Sequence, residues 1–299
     1  MKLVTQVSPI RVEQKISYND NILLIGSCFA DNIGKMLKDY RFNVMLNPFG
    51  TLYNPASIAN SIELLKEGKD FTDEQVIEHN GLYCSFSHHG SFSKSNKEDF
   101  LSNANTQLAK SKDFFKSSTT IIITLGTAWI YKHIGKDIIV SNCHKISAKE
   151  FSRQLLSLKQ TLEQLNKIIA LLSNSSKPSK LNKIIFTVSP IRHMADGAHG
   201  NQISKSILLL ALDELINNNP LPDKIELSYF PAYEIMMDEL RDYRFYADDM
   251  THPSELAIKY IFEIFSNSYL DSATQIKMIE EYKKTKREMH IPFHQAPKK

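Results

Sequence analysis

The stretch Leu23-Leu24-Ile25-Gly26-Ser27-Cys28-Phe29-Ala30 joins a short apolar run to a segment with helix-forming composition. A continuous apolar run of this kind is typical of a strand buried on both faces of a parallel sheet. Gly26 permits a close backbone turn, and the following helix directs its N-terminal amides towards the Ser27 hydroxyl. The position predicts either a nucleophile at the end of a strand or an ordinary serine that caps a helix.

The rest of the chain repeats this order of strand and helix. Strands are predicted at 22–25, 119–125, 183–188 and 225–229, helices at 30–40, 97–115, 148–172 and 203–217, and a hairpin at 129–140. Such alternation favours a mostly parallel central sheet covered by helices on both faces. We therefore predict a three-layer α/β/α fold of the flavodoxin-like type.

Composition is that of an ordinary globular protein. The 299 residues include 42% hydrophobic and 23% charged residues, enough for one sizeable core. We predict one catalytic domain over residues 1–270 and a C-terminal helical extension over 271–299. The net charge of +3 gives no reason to expect a nucleic acid or an anionic membrane as partner.

The positions of the cysteines and histidines argue against a disulfide-stabilised or metal-binding protein. Cys28, Cys84 and Cys143 are too few and too scattered for a disulfide framework or a zinc site. No helical His-x-x-x-His pair is present, so we expect no metal and no other cofactor. The N-terminus lacks the apolar region of a signal peptide and no apolar run is long enough to span a bilayer, which predicts a cytoplasmic protein.

Near the other end of the chain, Asp248-Asp249-Met250-Thr251-His252-Pro253-Ser254 precedes an apolar-periodic helix. The spacing allows Asp249 and His252 to share one turn. A serine nucleophile needs a base to accept its proton, and the base needs a carboxylate that fixes its tautomer and stabilises the imidazolium. An Asp-x-x-His pair can supply both.

Three polar segments directly follow predicted strands. They are Ser27, the pair Gly126-Thr127, and the stretch Ser189-Pro190-Ile191-Arg192-His193. Ligands of parallel sheets bind outside the carboxyl ends of the strands, so we expect these residues to lie along one edge. Arg192 could bind a carboxylate or phosphate of the substrate, with His193 as a second polar contact. Alternatively, Arg192 belongs to a structural loop, where it caps a helix or pairs with Asp196.

Cys28 allows a second interpretation of the first segment. Thiolates are favoured at helix N-termini, so Cys28 could be the nucleophile in place of Ser27. It could also be a small buried thiol that packs behind the serine, which is the interpretation we favour.

Taken together, these segments resemble the GSCFA family, a branch of the SGNH (GDSL-like) hydrolase superfamily. The residues that carry the resemblance lie in six segments, 26–30, 47–55, 124–129, 143–145, 189–193 and 249–252. The resemblance implies a three-layer SGNH-like fold in which Ser27 is the nucleophile. It further implies that His252 is general base and then acid, and that Asp249 orients His252.

The chain departs from that superfamily at the third block. Most SGNH enzymes have Gly-x-Asn-Asp there, whereas this chain has Gly126-Thr127-Ala128-Trp129, without the asparagine that usually donates to the oxyanion. Loss of one such donor costs roughly a hundredfold or more in rate, so a replacement is expected.

The loop Asn47-Pro48-Phe49-Gly50-Thr51-Leu52-Tyr53-Asn54 is the candidate source of that replacement. We expect backbone donors at Ser27 and Gly50 and a side-chain donor from Asn47, Asn54 or Thr127, with Asn47 favoured. Asn54 could equally cap the helix that begins at Pro55.

These features predict a serine hydrolase, an esterase or deacylase, that removes a small acyl group from a carbohydrate-like or other polar small molecule. An acyltransferase that uses the same acyl-enzyme is an alternative. A non-catalytic binding protein on the same fold is another, since the third-block asparagine is missing.

Overall fold

The computed structural model describes residues 5–8, 12–173, 180–218, 221 and 224–289. The strands are β1 Asn21–Gly26, β2 Asn43–Leu46, β3 Ile77–His79, β4 Leu82–Cys84, β5 Thr120–Leu125, β6 Trp129–His133, β7 Ile138–Val140, β8 Phe151–Leu155, β9 Lys183–Val188 and β10 Glu226–Phe230. The α-helices are α1 Cys28–Asp39, α2 Pro55–Glu67, α3 Lys97–Ser117, α4 Leu158–Ser173, α5 Gly197–Asn217, α6 Ala232–Glu234, α7 Glu255–Tyr269 and α8 Ser272–Met289.

Five strands form the central sheet, in the order β10-β9-β5-β1-β2, and every pairing in it is parallel. Every residue of β5 and of β9 is buried, because helices cover both faces of these strands. β-branched residues are favoured in such strands, and β5 contains three consecutive isoleucines.

Alternate residues of β1 enter two separate hydrophobic clusters. Leu23 and Ile25 pack in the cluster that includes apolar residues of α2, α3, α4 and α5. Ile22 and Leu24 pack on the opposite face with apolar residues of α1 and α7. This period of two places the sheet between two helical layers and confirms the predicted three-layer α/β/α fold.

A three-stranded antiparallel sheet with the order β7-β6-β8 stands apart from the central sheet. It confirms the predicted hairpin at 129–140 but corrects the predicted helix at 148–172, which begins only at Leu158. Residues 151–155 instead form β8, because they pair with β6 from Trp129 to His133. Long-range pairing therefore overrides local helix propensity in this segment.

The C-terminal helix α8 packs against α1. Met278 contacts the hydrophobic cluster beneath α1 and α7, and the Tyr282 ring lies 4.8 Å from that of Tyr40. Residues 290–299 of the predicted C-terminal helical extension lie outside the described residues, and the domain boundary at 270 stays a prediction. No helix in the described part of the chain is long and apolar enough to cross a membrane.

Candidate active site

Ser27 occupies the turn between β1 and α1. It is the N-cap of α1, and its Oγ accepts a 3.3 Å hydrogen bond from the Phe29 amide. Gly26 enables the turn, since its φ is +147° and a Cβ there would lie 2.2 Å from the Thr124 carbonyl oxygen. The Ser27 residue is only 1% exposed.

The loop at 47–54 is bound to this turn by side-chain and backbone hydrogen bonds. The Asn47 side chain accepts from the Gly26 amide at 2.9 Å and donates to Asp31 at 2.8 Å. The Leu52 amide donates to the Gly26 carbonyl at 2.9 Å. The Tyr53 carbonyl then accepts from the amides of both Gly126 and Thr127, so the loops after β2 and β5 are tied together beside Ser27.

Asp249 and His252 form a compact pair in the loop before α7. Asp249 Oδ1 accepts the backbone amides of Thr251 and His252, each at 2.9 Å, and Oδ2 lies 2.5 Å from His252 Nδ1. The His252 amide, then the Thr251 amide and the imidazole, hold the pKa of Asp249 well below its usual range. An ionised Asp249 fixes the proton of His252 on Nδ1 and leaves Nε2 as the basic nitrogen.

The Arg192 loop after β9 adjoins this pair. The Arg192 amide donates to the Thr251 carbonyl at 3.1 Å, and its guanidinium lies 3.4 Å from the Met250 carbonyl. The suggested pairing of Arg192 with Asp196 is absent, because Asp196 instead binds Arg153 of β8.

These segments border a cavity of about 710 Å³ at the carboxyl ends of β1, β5 and β9. This position confirms that the polar segments following these strands lie along one edge of the sheet. The cavity is lined by residues from several elements, including Cys28, Tyr53, Asn54, Thr127, Trp129, Arg153, Arg192, His193 and His252.

Cys28 is partly buried, since it packs against the hydrophobic cluster of α1 and α7 and also lines the cavity. Its Sγ lies 3.4 Å from the Tyr53 hydroxyl. Burial, and then the contact with Cys28, raise the pKa of Tyr53 to about 12, so this phenol is protonated at neutral pH. Ser27 itself is not part of the cavity wall, and in the described part of the chain its side chain makes no hydrogen bond to His252.

Most of the expected oxyanion donors already have partners. The Ser27 amide donates to Thr124 at 3.2 Å, and the Gly50 amide donates to Asn47 at 2.8 Å. The Thr127 hydroxyl lies 2.9 Å from that of Ser204. The structure therefore does not support Gly50 or Asn47 as the donor that replaces the missing asparagine.

Asn54 and Cys28 line the cavity, and each has a donor without such a partner. Asn54 uses its Oδ1 to cap α2 through the Ser57 amide at 2.8 Å, and its Nδ2 makes no hydrogen bond within the described residues. The Cys28 amide occupies the first position of α1, where no intrahelical acceptor exists. Trp129 Nε1 and His193 Nε2, on two further side chains that line the cavity, also lack a hydrogen-bond partner in the described part of the chain.

Behind the cavity, Lys205 of α5 is fully buried and has no carboxylate within ion-pair distance in the described part of the chain. Its Nζ donates to the carbonyls of Gly126 at 2.6 Å and of Ser189 at 2.7 Å, which joins the ends of β5 and β9. Burial lowers the pKa of Lys205 to about 7. Burial, and then the charge of Lys205, lower the pKa of His193 to about 4, so the His193 imidazole is neutral at pH 7.

Sequence reasoning missed Lys205, Trp129 and Arg153. Arg153 lies 4.0 Å above the Trp129 ring and bonds to the buried Asp196 carboxylate, so it joins β8 to the loop after β9. An isolated arginine inside a predicted helix carries no signal for this role. Of the three, Lys205 carried the clearest sequence signal, because a lysine interrupts the apolar residues on the face of α5 that packs against the sheet.

The fold and this edge cavity define a three-layer α/β protein in which His252 of an Asp/His pair and Cys28, the neighbour of a strand-to-helix serine, line one cavity. The model of the GSCFA family matches residues 21–265, which is most of the chain and includes every one of these segments. The chain belongs to the GSCFA family. A comparison with curated proteins finds no match.

Proposed function

We propose that this protein is an SGNH-type serine hydrolase that cleaves a small acyl ester of a polar or carbohydrate-like molecule. The observation that carries the proposal is the Asp249–His252 pair, whose 2.5 Å contact leaves Nε2 of His252 without a partner in the described part of the chain. His252 lines the same cavity as Cys28, the residue that directly follows Ser27.

In the proposed reaction, the Ser27 hydroxyl transfers its proton to His252 Nε2 as Oγ attacks the acyl carbonyl. The bond from Phe29 uses a lone pair of Oγ, so the hydroxyl hydrogen stays available for the base. His252 then protonates the leaving alcohol, and water resolves the acyl-enzyme with His252 again as base. Asp249 stays ionised throughout and stabilises the imidazolium.

The tetrahedral intermediate requires donors for its oxyanion. We assign this role to Asn54 Nδ2 and the Cys28 amide, because both residues line the cavity and neither donor has a hydrogen-bond partner in the described part of the chain. Asn54 would then perform two tasks, since its oxygen caps α2 while its nitrogen meets the substrate.

A fluorophosphonate probe followed by peptide mapping tests the proposal. We expect one adduct on the peptide that contains Ser27, lost in Ser27→Ala and retained in Cys28→Ala. Because the two residues are neighbours, this matched pair of variants separates the hydroxyl from the thiol. An adduct retained in Ser27→Ala would contradict the assignment.

A non-catalytic binding protein is the second candidate, favoured by the burial of Ser27 and by its lack of a hydrogen bond to His252. It predicts no labelling and no hydrolysis of 4-nitrophenyl acetate. An acyltransferase would label as the hydrolase does but would transfer its acyl group faster to an added polyol than to water.

A further inference from the structure

A second, smaller cavity of about 320 Å³ lies beside the first and shares Arg192 with it. Its other walls come from the start of α5 and the segment that follows β10. They include Gln202, Arg241, Tyr243 and Tyr246. Because Arg192 lines both cavities, a ligand that occupies the first can extend a group into the second.

Two guanidinium groups in this second cavity lack an acidic partner. Arg41, Arg153 and Arg244 each bind a carboxylate. In the described part of the chain, neither Arg192 nor Arg241 has a carboxylate within 4.0 Å. Arg192 contacts only neutral groups, the Met250 carbonyl at 3.4 Å and the Tyr246 ring at 5.6 Å.

The side-chain acceptors of Gln202 and Asp242 in this cavity already have partners. The Gln202 side-chain oxygen accepts from the Tyr233 hydroxyl, which leaves the amide nitrogen as a donor. The Asp242 carboxylate accepts the backbone amide and the side chain of Arg244, each at 2.9 Å. The guanidiniums of Arg192 and Arg241 and the Gln202 amide nitrogen are therefore donors available to a ligand, two of them cationic, and such a set suits an anion.

We propose that this second cavity is an anion subsite, and that the substrate carries a carboxylate or phosphate bound by Arg192 and Arg241. The inference rests on the proposed function for its link to catalysis. The link is Arg192, whose amide and guanidinium contact the loop that carries His252. An anion at this subsite would fix the substrate relative to the catalytic base.

Calorimetric titrations at constant ionic strength test the subsite without reference to catalysis. Inorganic phosphate and succinate are the two probes, and they distinguish the two kinds of anion. We expect saturable binding of at least one probe, weakened roughly tenfold or more in Arg241→Gln and Arg192→Gln through loss of a charge-assisted contact. Arg287→Gln is the matched control, since Arg287 is exposed on α8 and lies outside the cavity lining; its affinity should stay within about twofold of wild type.

Absence of saturable binding of both anions, or equal affinity in wild type and Arg241→Gln, would overturn the subsite even if the protein proves to be a hydrolase. If binding is lost as expected while no ester is cleaved, the subsite stands and the hydrolase proposal fails. For an active enzyme, kcat/KM for an ester with a free carboxylate relative to 4-nitrophenyl acetate should fall in Arg241→Gln. An unchanged ratio would exclude a role of this subsite in substrate selection.

Discussion

Two regions border the same cavity but are held in place differently. One is the loop that carries Asp249 and His252, and the other is the corner, the turn between β1 and α1 that carries Ser27 and Cys28. The loop is local, because the contacts that orient His252 come from a carboxylate three residues earlier, and both side chains are about half exposed. The corner is built from distant segments, since Gly26 and Ser27 are bound by the loop at 47–52 and by Thr124 of β5. Substitutions in the loop should therefore change chemistry, whereas a substitution that removes one of the hydrogen bonds holding Gly26 and Ser27 should mainly change stability.

His252→Ala gives the largest expected effect. Loss of the base should lower kcat for 4-nitrophenyl acetate by roughly 10⁴-fold or more. The melting temperature should stay close to wild type, because the side chain is half exposed. Activity retained in this variant would place the base elsewhere, with His193 the next candidate.

Asp249→Asn separates orientation from proton transfer. The asparagine oxygen can still accept the amides of Thr251 and His252, but the charge that stabilises the imidazolium is lost. We expect kcat to fall roughly 10²- to 10⁴-fold with the fold intact. Asp248→Asn is the control and should change kcat far less, since Asp248 makes no contact with His252 in the described part of the chain.

Asn54→Ser and Asn47→Ala should have opposite effects, since the first should lower kcat and the second should lower stability. Serine keeps the cap of α2 but removes the amide donor, so kcat should fall roughly 10²- to 10³-fold with little change in melting temperature. Asn47→Ala removes two internal hydrogen bonds and should lower the free energy of unfolding by about 2 kcal/mol, while the folded fraction keeps its kcat. A fall in kcat confined to Asn47→Ala would restore Asn47 as the oxyanion donor.

The smallest expected effect is the pH dependence contributed by His193. An unfolded histidine titrates near 6.5, whereas burial lowers the pKa of His193 in the folded protein to about 4. Between these values the unfolded chain binds a proton that the folded chain does not. His193 therefore lowers stability as pH falls from about 6.5 towards 4, by on the order of 1–3 kcal/mol.

Urea denaturation at pH 7 and pH 5 measures this contribution. His193→Gln should lose less stability on acidification than wild type. The buried His88, whose pKa burial lowers to about 3, contributes a similar slope that the variant retains. Identical slopes in wild type and His193→Gln would show that His193 titrates normally.

The sequence correctly predicted the elements whose structure depends on residues close to them in the chain. The apolar runs of β1 and β5 and the turn at Gly26 follow from short-range pattern, and so does the Asp249–His252 pair, whose contact spans three residues. The strand β8 was missed because its existence depends on pairing with β6 across twenty or so residues of chain. The role of Arg153 was missed with it.

The proposed oxyanion donor could not be assigned from residue type, because Asn47 and Asn54 are the same residue in the same loop. What distinguishes them is the set of neighbours that folding provides. The Asn47 side chain accepts a hydrogen bond from the Gly26 amide through its oxygen and donates one to Asp31 through its nitrogen. The Asn54 side chain uses only its oxygen, which accepts from the Ser57 amide. Such partners lie up to 21 residues away and have no sequence pattern.

Chemical modification of the buried Lys205 amine can also report opening motions of the native protein. An amine whose pKa is lowered to about 7 is largely unprotonated and nucleophilic at pH 8, so only burial protects it from acylating reagents. An accessible lysine reacts continuously, but Lys205 can react only when α5 separates from the ends of β5 and β9. Its acylation rate would therefore measure how often α5 separates from the ends of β5 and β9 in the native state.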